Sequence, residues 1–295
     1  MAPVRVLVLL AFLALFACRG GSAPAHAADE AAITRGAYLA LAADCGACHT
    51  DKKNKGAPLA GGPPIETPFG TFYGPNITPD KTTGIGNWTE DQFKRALRQG
   101  INEHGAYMFP VFPFTSFTDI TDQDASDLYA YLMSVPPVNH RAPTNEVKFP
   151  FGWRPLLFVW RTLFFKEGPL QPIAGQSAEW NRGRYLAEAV AHCEECHTPR
   201  NFLGALDRSH AYAGNPHGPD DIDAPDITPD KKDGIGDWKL DDIEEVLKSG
   251  MTPDGDYVGN GMSDVVEGTS KLTDADRQAI AVYIHSLPPL PKTPK

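Results

Sequence analysis

The feature that most constrains how this 295-residue chain folds is an internal duplication. NITPDKTTGIGNW at 76–88 returns as DITPDKKDGIGDW at 226–238, a constant offset of 150 residues. Upstream, Gly36-Ala37-Tyr38-Leu39 returns as Gly183-Arg184-Tyr185-Leu186; downstream, AYLMSVPPV (130–138) returns as VYIHSLPPL (282–290). A repeat of this kind implies two copies of one structural unit and has to be recognised before any local assignment. Each copy runs from a helix through a Cys-x-x-Cys-His segment to a long loop, then two more helices and a double proline.

The helices rest on start signals and spacing. Thr89-x-x-Gln92 has the capping-box form, and Phe93, Ala96 and Leu97 follow on one face. Gly100 offers a stop. Thr121-x-x-Asp124 and Thr273-x-x-Asp276 precede the apolar sets Leu128, Tyr131, Leu132 and Ile280, Tyr283, Ile284. Pro136-Pro137 and Pro288-Pro289 end those helices. No strand alternation is convincing in the remaining Gly- and Pro-rich sequence. Units of about 110 residues with so much irregular chain bury little apolar surface against their ordering entropy. A large apolar cofactor at the centre of each unit would resolve that difficulty.

Of five cysteines, Cys45, Cys48, Cys193 and Cys196 lie in the two motifs, CGACHT (45–50) and CEECHT (193–198), and Cys18 is the fifth. Two Cys pairs are enough thiolates for one zinc ion, but the histidines would then be surplus. A dithiol redox pair needs a βαβ context that the pattern lacks. Covalent haem attachment uses every part of the motif: two sulfurs bond the porphyrin edge and the adjacent histidine ligates iron. Two covalently bound haem c groups are therefore expected, on Cys45/Cys48 and Cys193/Cys196, with His49 and His197 as proximal ligands. Each imidazole needs an acceptor for its second nitrogen. A carbonyl near Pro58 is the expectation for His49, and none is evident for His197.

Residues 1–27 read as an export signal: Arg5, an apolar run Val6–Ala17, and the small-x-small site Ala25-His26-Ala27. A retained anchor is the alternative, as is lipidation at Cys18 after Leu15-Phe16-Ala17. The run is too short to span a bilayer, so no transmembrane segment is expected after signal removal. The formal net charge of −10 argues against general nucleic-acid binding. The expected division is 28–138 for the first unit, 139–178 for a linker with a short aromatic-rich helix, and 179–295 for the second. Trp153, Phe158, Trp160, Phe164 and Phe165 concentrate in that linker. The preferred expectation packs it between the units, the other being a docking surface.

Both halves resemble class I cytochrome c domains. The motif order is similar to the multihaem cytochrome subunits of periplasmic alcohol, aldehyde and gluconate dehydrogenases. LAGGPPIETPFGTFYGPNITPDKTTGIGNW (59–88), FPFTSFTDITDQD (112–124) and GNGMSDVVEGTSKLTDADRQAIAVYIHSLPP (259–289) carry the resemblance, which covers nearly all of the chain after residue 27. It implies a mainly α fold of two tandem class I cytochrome c-like domains with long Gly/Pro-rich loops around covalent haems. It further implies Gly36 and Tyr38 packed against Tyr131, and Gly183 and Tyr185 against Tyr283. The family's subunits often carry three haems and a C-terminal membrane helix, and this chain departs on both counts.

Met262 stands where the family places the sixth iron ligand of the second unit, a core methionine being the alternative. The offset of 150 puts Phe112 opposite Met262, and phenylalanine cannot bind iron. Met108 takes the place if its loop shifts; His104 is the weaker substitute, and Met133 is expected to face helix packing. His140, His210, His217 and His285 are expected at the surface, as is the pair Glu244-Glu245. The expected function is an exported, periplasmic dihaem carrier of single electrons, more a transfer protein or subunit than a stand-alone enzyme. Its donor would be a periplasmic dehydrogenase and its acceptor a cytochrome or terminal oxidase. The alternatives are a dihaem enzyme, peroxidase-like or thiosulfate-oxidising, with an open first iron, and a structural zinc protein.

Overall fold

The computed structural model describes residues 25–218 and 221–292. The signal segment through residue 24 and Cys18 lie outside the described residues. Chain order begins with α1 (Ala25–Ala42), α2 (Cys45–His49), β1 (Pro64–Thr67), β2 (Gly70–Tyr73), α3 (Glu90–Gln99), α4 (Phe114–Phe117) and α5 (Asp122–Ser134). After β3 (Glu146–Val147) and α6 (Arg154–Phe164), α7 (Ala178–Arg184) runs into a π-helical turn, Tyr185–Val190. Then come α8 (Glu194–His197), a 3₁₀ turn (Arg208–His210), β4 (Ala213–Asn215), β5 (Ala224–Asp226), α9 (Leu240–Ser249), α10 (Asn260–Thr269) and α11 (Asp274–His285).

The start signals act as expected. Thr89 and Gln92 form a reciprocal capping box on α3, and Thr121 and Thr273 accept from the third backbone N–H of α5 and α11. Gly100 and Gly250 close α3 and α9 in the left-handed conformation. Phe93, Ala96, Leu97, Leu128, Leu132, Ile280, Tyr283 and Ile284 are buried.

The short strands are a departure from the sequence reading. β1 and β2 form an antiparallel hairpin pairing Pro64 with Tyr73 and Thr67 with Gly70, extended by β3 at Gly70 and Thr71. β4 and β5 pair Ala213 with Asp226 and Asn215 with Ala224. Segments of two to four residues hold too few side chains to display a period.

The repeat is visible in the backbone hydrogen bonds. Thr78 N–H donates to Asn76 Oδ1 (2.9 Å) and Thr228 N–H to Asp226 Oδ1 (2.7 Å). Ile85 donates to Thr78 O and Ile235 to Thr228 O, both at 2.9 Å. In one place the halves differ by a single residue: Gly36 precedes Cys45 by nine positions, and Gly183 precedes Cys193 by ten. The π turn takes up the surplus, with Ala191 N–H reaching five residues back to Leu186 O at 2.7 Å.

The helix crossings match expectation at the glycines. A Cβ on Gly36 would lie 1.9 Å from Asp127 O and 2.7 Å from Tyr131 Cβ; on Gly183 it would lie 1.8 Å from Ala279 O and 3.0 Å from Tyr283 Cβ. The tyrosines depart from it. Tyr38 donates to Asp276 Oδ2 (2.6 Å) and accepts from Thr273 N–H (3.1 Å), both on the start of α11. Tyr185 reciprocates, donating to Asp124 Oδ2 and accepting from Thr121 N–H at the start of α5. Each tyrosine caps the terminal helix of the other half because those helix starts offer free N–H groups and a carboxylate.

α6 bridges the halves. Arg154 donates to Tyr107 O and Arg161 to Gln99 O in the first half, while Trp160 Nε1 donates to Leu203 O (2.9 Å) in the second. Leu157 is buried, and Phe158, Val159 and Leu163 face outward. None of the described helices is long and apolar enough to cross a membrane.

Candidate functional site: two Cys-x-x-Cys-His loops

Each motif begins at a residue bent into the left-handed region: Asp44 (φ 47°) before Cys45, and His192 (φ 40°) before Cys193. Aspartate and histidine are among the side chains that tolerate it best. The chain then makes one helical turn, α2 or α8, which carries the histidine inward.

Both histidines are buried, and each Nδ1 meets a proline carbonyl: Pro75 O at 2.7 Å for His49 and Pro225 O at 2.8 Å for His197. The acceptor is not near Pro58, and the unassigned partner of His197 is its repeat counterpart 150 residues on. A ring whose Nδ1–H is held by a carbonyl keeps Nε2 as a lone-pair donor. Burial lowers the pKa of both imidazoles, with the carbonyls opposing. Each therefore stays neutral, the form that ligates metal.

The threonine after each histidine shapes the neighbouring loop, a contact that the motif alone did not reveal. Thr50 Oγ1 accepts from Leu59 N–H and Thr198 Oγ1 from Tyr212 N–H, both at 3.0 Å. Leu59 (φ 61°) and Tyr212 (φ 65°) are strained left-handed residues. They bring their own carbonyls to Ile77 N–H (2.9 Å) and Ile227 N–H (3.0 Å), beside the histidine acceptors. The hydroxyl thus locks the loop that presents Pro75 or Pro225. In the first half the approach is close enough that a Cβ on Gly74 would sit 1.7 Å from Cys48 O.

Cys48 and Cys196 are exposed, and Cys45 and Cys193 half-buried. Burial pushes the Cys45 and Cys193 thiols up to about 12, with Asp44 adding to the first and Cys196 to the second. Protonated thiols are poor nucleophiles, which disfavours a redox dithiol. Among the described residues no three His, Cys, Asp or Glu side chains converge on a metal-binding point.

The two loops touch. His192 Nε2 lies 3.3 Å from Ala43 O, and its ring meets Phe117 edge-on at 5.3 Å. Glu195, inside the second motif, is buried and accepts from Thr115 Oγ1 (2.8 Å) and Ser116 Oγ (3.1 Å) of the first half. Burial alone would raise its pKa; Arg200 and the Thr115 hydroxyl hold it below the usual carboxylate range. Glu194 is buried and paired to Arg208 (3.1 Å), and burial raises it to about 7.

Met262 is half-buried against the core on α10, and Phe112 is half-buried against Phe117 at 5.6 Å. Met108 has not shifted: its N–H donates to Gly100 O (2.8 Å) as Val258 N–H donates to Gly250 O (2.9 Å), so it occupies the station of Val258. The His104 side chain is 81% exposed, which removes it from any interior site.

The cytochrome c family profile matches residues 33–136. The chain is 42% identical over 259 residues to a diheme cytochrome c-type protein of Cereibacter sphaeroides, covering 86% of each. It is 43% identical over 263 residues to the fructose dehydrogenase cytochrome subunit of Gluconobacter japonicus, covering 88% of this chain and 54% of that one. It is 41% identical over 269 residues to the gluconate 2-dehydrogenase cytochrome c subunit of Pantoea cypripedii, covering 88% and 60%. The chain belongs to the cytochrome c family, and spans a little over half the length of these two dehydrogenase subunits. Covalent haem c is the cofactor that the family implies.

The residues present fit that cofactor. The donor set is a thiol pair plus a neutral imidazole with its second nitrogen pinned. In the second half Tyr212 Oη, Asn215 Nδ2 and Asp226 Oδ2 are buried without hydrogen-bond partners. Asn215 and Asp226 lie within the strand pair that carries the His197 acceptor, and Tyr212 directly precedes it. Such orphans are uncommon in a finished interior and suit an additional polar group there.

Proposed function

We propose that this chain is an exported, periplasmic two-haem electron carrier built from tandem cytochrome c domains, 28–138 and 179–295, joined through 139–178. In this reading Cys45/Cys48 and Cys193/Cys196 hold the two haems, His49 and His197 are the proximal ligands, and Met262 is the sixth ligand of the second. When bound, haem supplies a one-electron ferric/ferrous couple. The chain's own residues fix what that couple experiences. Pro75 O and Pro225 O hold the imidazole protons on Nδ1, Thr50 and Thr198 hold those carbonyls in place, and the contact of Ala43 with His192 brings the attachment loops together. No side chain has to move a proton, in keeping with a carrier. The single observation that carries the proposal is the duplicated Nδ1–carbonyl bond beside each Cys pair.

Relatives named as cytochrome subunits of fructose and gluconate dehydrogenases support a dehydrogenase as electron donor. The acceptor in this reading is another cytochrome or a terminal oxidase. The test is co-expression with the haem attachment machinery, followed by intact-mass and haemochrome measurement. Two haems per chain are expected, with one remaining in Cys193→Ser/Cys196→Ser. Full-length protein that weighs only as much as its amino acids, with no Soret band, refutes the assignment.

A further inference from the structure

The stretch between Met108 and Phe114 differs from its repeat counterpart in a way that bears on the first haem. Met108 and Val258 are matched by their bonds to Gly100 and Gly250. At the far end, Phe114 and Val266 are matched by their backbone bonds: Thr118 N–H donates to Phe114 O and Ser270 N–H to Val266 O, both at 2.9 Å. Between these fixed stations the second half holds GNGMSDV (259–265), which contains Met262, and the first holds FPVFP (109–113), two residues shorter. Depending on where the gap of two falls, Met262 stands opposite Pro110, Val111 or Phe112, or opposite no residue at all. None of these side chains has a lone pair to give to iron.

Met108 is not free to substitute, because both its neighbours are clamped. Arg154 binds Tyr107 O and lies over the Phe109 ring at 5.1 Å; Arg161 lies over the Tyr107 ring at 4.7 Å; and Phe109 packs on buried Phe72 at 5.3 Å.

We propose that the first haem, given the two-haem reading above, has His49 as its only protein ligand and presents an apolar distal face, Phe109–Pro113, to exogenous ligands. Distal polarity and hydrogen-bond donors decide what a haem binds. The side chains of FPVFP carry neither donor nor acceptor, so the face suits a small neutral diatomic on ferrous iron and disfavours anions. The site would add gas binding at one haem to electron transfer at the other.

The experiment is a carbon monoxide titration of the reduced two-haem protein, alongside an electron paramagnetic resonance spectrum of the oxidised form. Expected are saturation at one CO per two haems and a high-spin ferric signal from one haem. Met108→Ala should leave both unchanged, whereas Phe112→Met should convert the high-spin signal to low-spin. Two low-spin signals with no CO uptake in the wild type overturn the inference and leave the carrier reading intact. So does a high-spin signal that emerges only in Met108→Ala. Absence of two haems in the starting material would instead refute the reading on which the inference rests.

Discussion

Between its two cysteines the first half carries Gly46 and Ala47, and the second carries Glu194 and Glu195. The helical approach shows the same contrast: Leu39-Ala40-Leu41-Ala42 leads to Cys45, whereas Leu186-Ala187-Glu188-Ala189 leads to Cys193. Glu188 accepts from Arg184 and from the Tyr283 hydroxyl, and Tyr212 is buried where the first half has Leu59. Backbone register is nearly the same in both, down to the proline carbonyl on each histidine. The hydrogen bonds that shape a loop are made by main-chain groups and a few Thr, Asn and Asp oxygens, so neighbouring side chains can diverge freely around them. The result is one scaffold with two electrostatic settings: acids and tyrosines around the second site, aromatic rings and clamping arginines around the first. Two such sites should differ in reduction potential.

The part the halves share is where a substitution should do most damage. Gly36→Val and Gly183→Val each drive a side chain into a helix carbonyl less than 2 Å from the position of its Cβ. Backbone on both sides leaves no flexible group to yield, so each variant should lose ~3 kcal/mol or more. Chemical denaturation followed by Soret absorbance and circular dichroism measures this. A wild-type midpoint in either variant would show that the crossing is looser than described.

These glycines were legible in the repeat, as were the helix caps and the Cys-x-x-Cys-His segments, because each is set by local chemistry that recurs in sequence. What sequence did not disclose is non-local. Pro75 and Pro225 reach the histidines from 26 and 28 residues away, not from the neighbourhood of Pro58. Tyr38 and Tyr185 were expected on their own halves, since a resemblance to one domain carries no information about its neighbour. Glu195 owes its hydroxyl partners Thr115 and Ser116 to α4, far away in sequence. The offset of 150 holds as far as Met108, whose N–H bonds Gly100 O as Val258 bonds Gly250 O, and fails beyond it because the first half is two residues shorter there.

The acid that most separates the halves gives a pH test. Glu194 is raised from 4.5 to about 7, burial being the main cause and the charges of Glu188, Glu195 and Asp119 adding to it against Arg208. The folded state therefore holds this proton more tightly than the unfolded chain. Its contribution is favourable at low pH and is lost as pH climbs from about 4.5 to about 7, by up to ~3 kcal/mol. Glu194→Gln should flatten that part of the stability profile and exceed wild type at pH 8, with no advantage at pH 4. Asp44, raised to about 6 mainly by burial and then by Asp264, is the first half's version. Asp44→Asn should show a smaller effect of the same sign. Parallel profiles for wild type and Glu194→Gln would mean that the carboxyl is solvated or better paired than its surroundings indicate.

The tyrosine clasps should be worth least, and their inequality is the informative part. Tyr38→Phe removes one donor from Asp276, but Arg182 still holds that carboxylate with two bonds, at 2.9 and 2.8 Å. Tyr185→Phe removes the hydroxyl from Asp124, for which no ion pair exists among the described residues; Arg35, the repeat counterpart of Arg182, is committed to Asp127. An acceptor left without its donor costs more than a bond lost from a site that stays paired. Tyr185→Phe should therefore cost ~1–2 kcal/mol and Tyr38→Phe ~1 kcal/mol or less. Both bonds cross between the halves, so the loss should surface as a lower midpoint of chemical denaturation, read by circular dichroism. Equal costs in the two variants would mean that Arg35 exchanges between Asp127 and Asp124 in solution, and a double-mutant cycle with Arg35→Gln would then recover the difference.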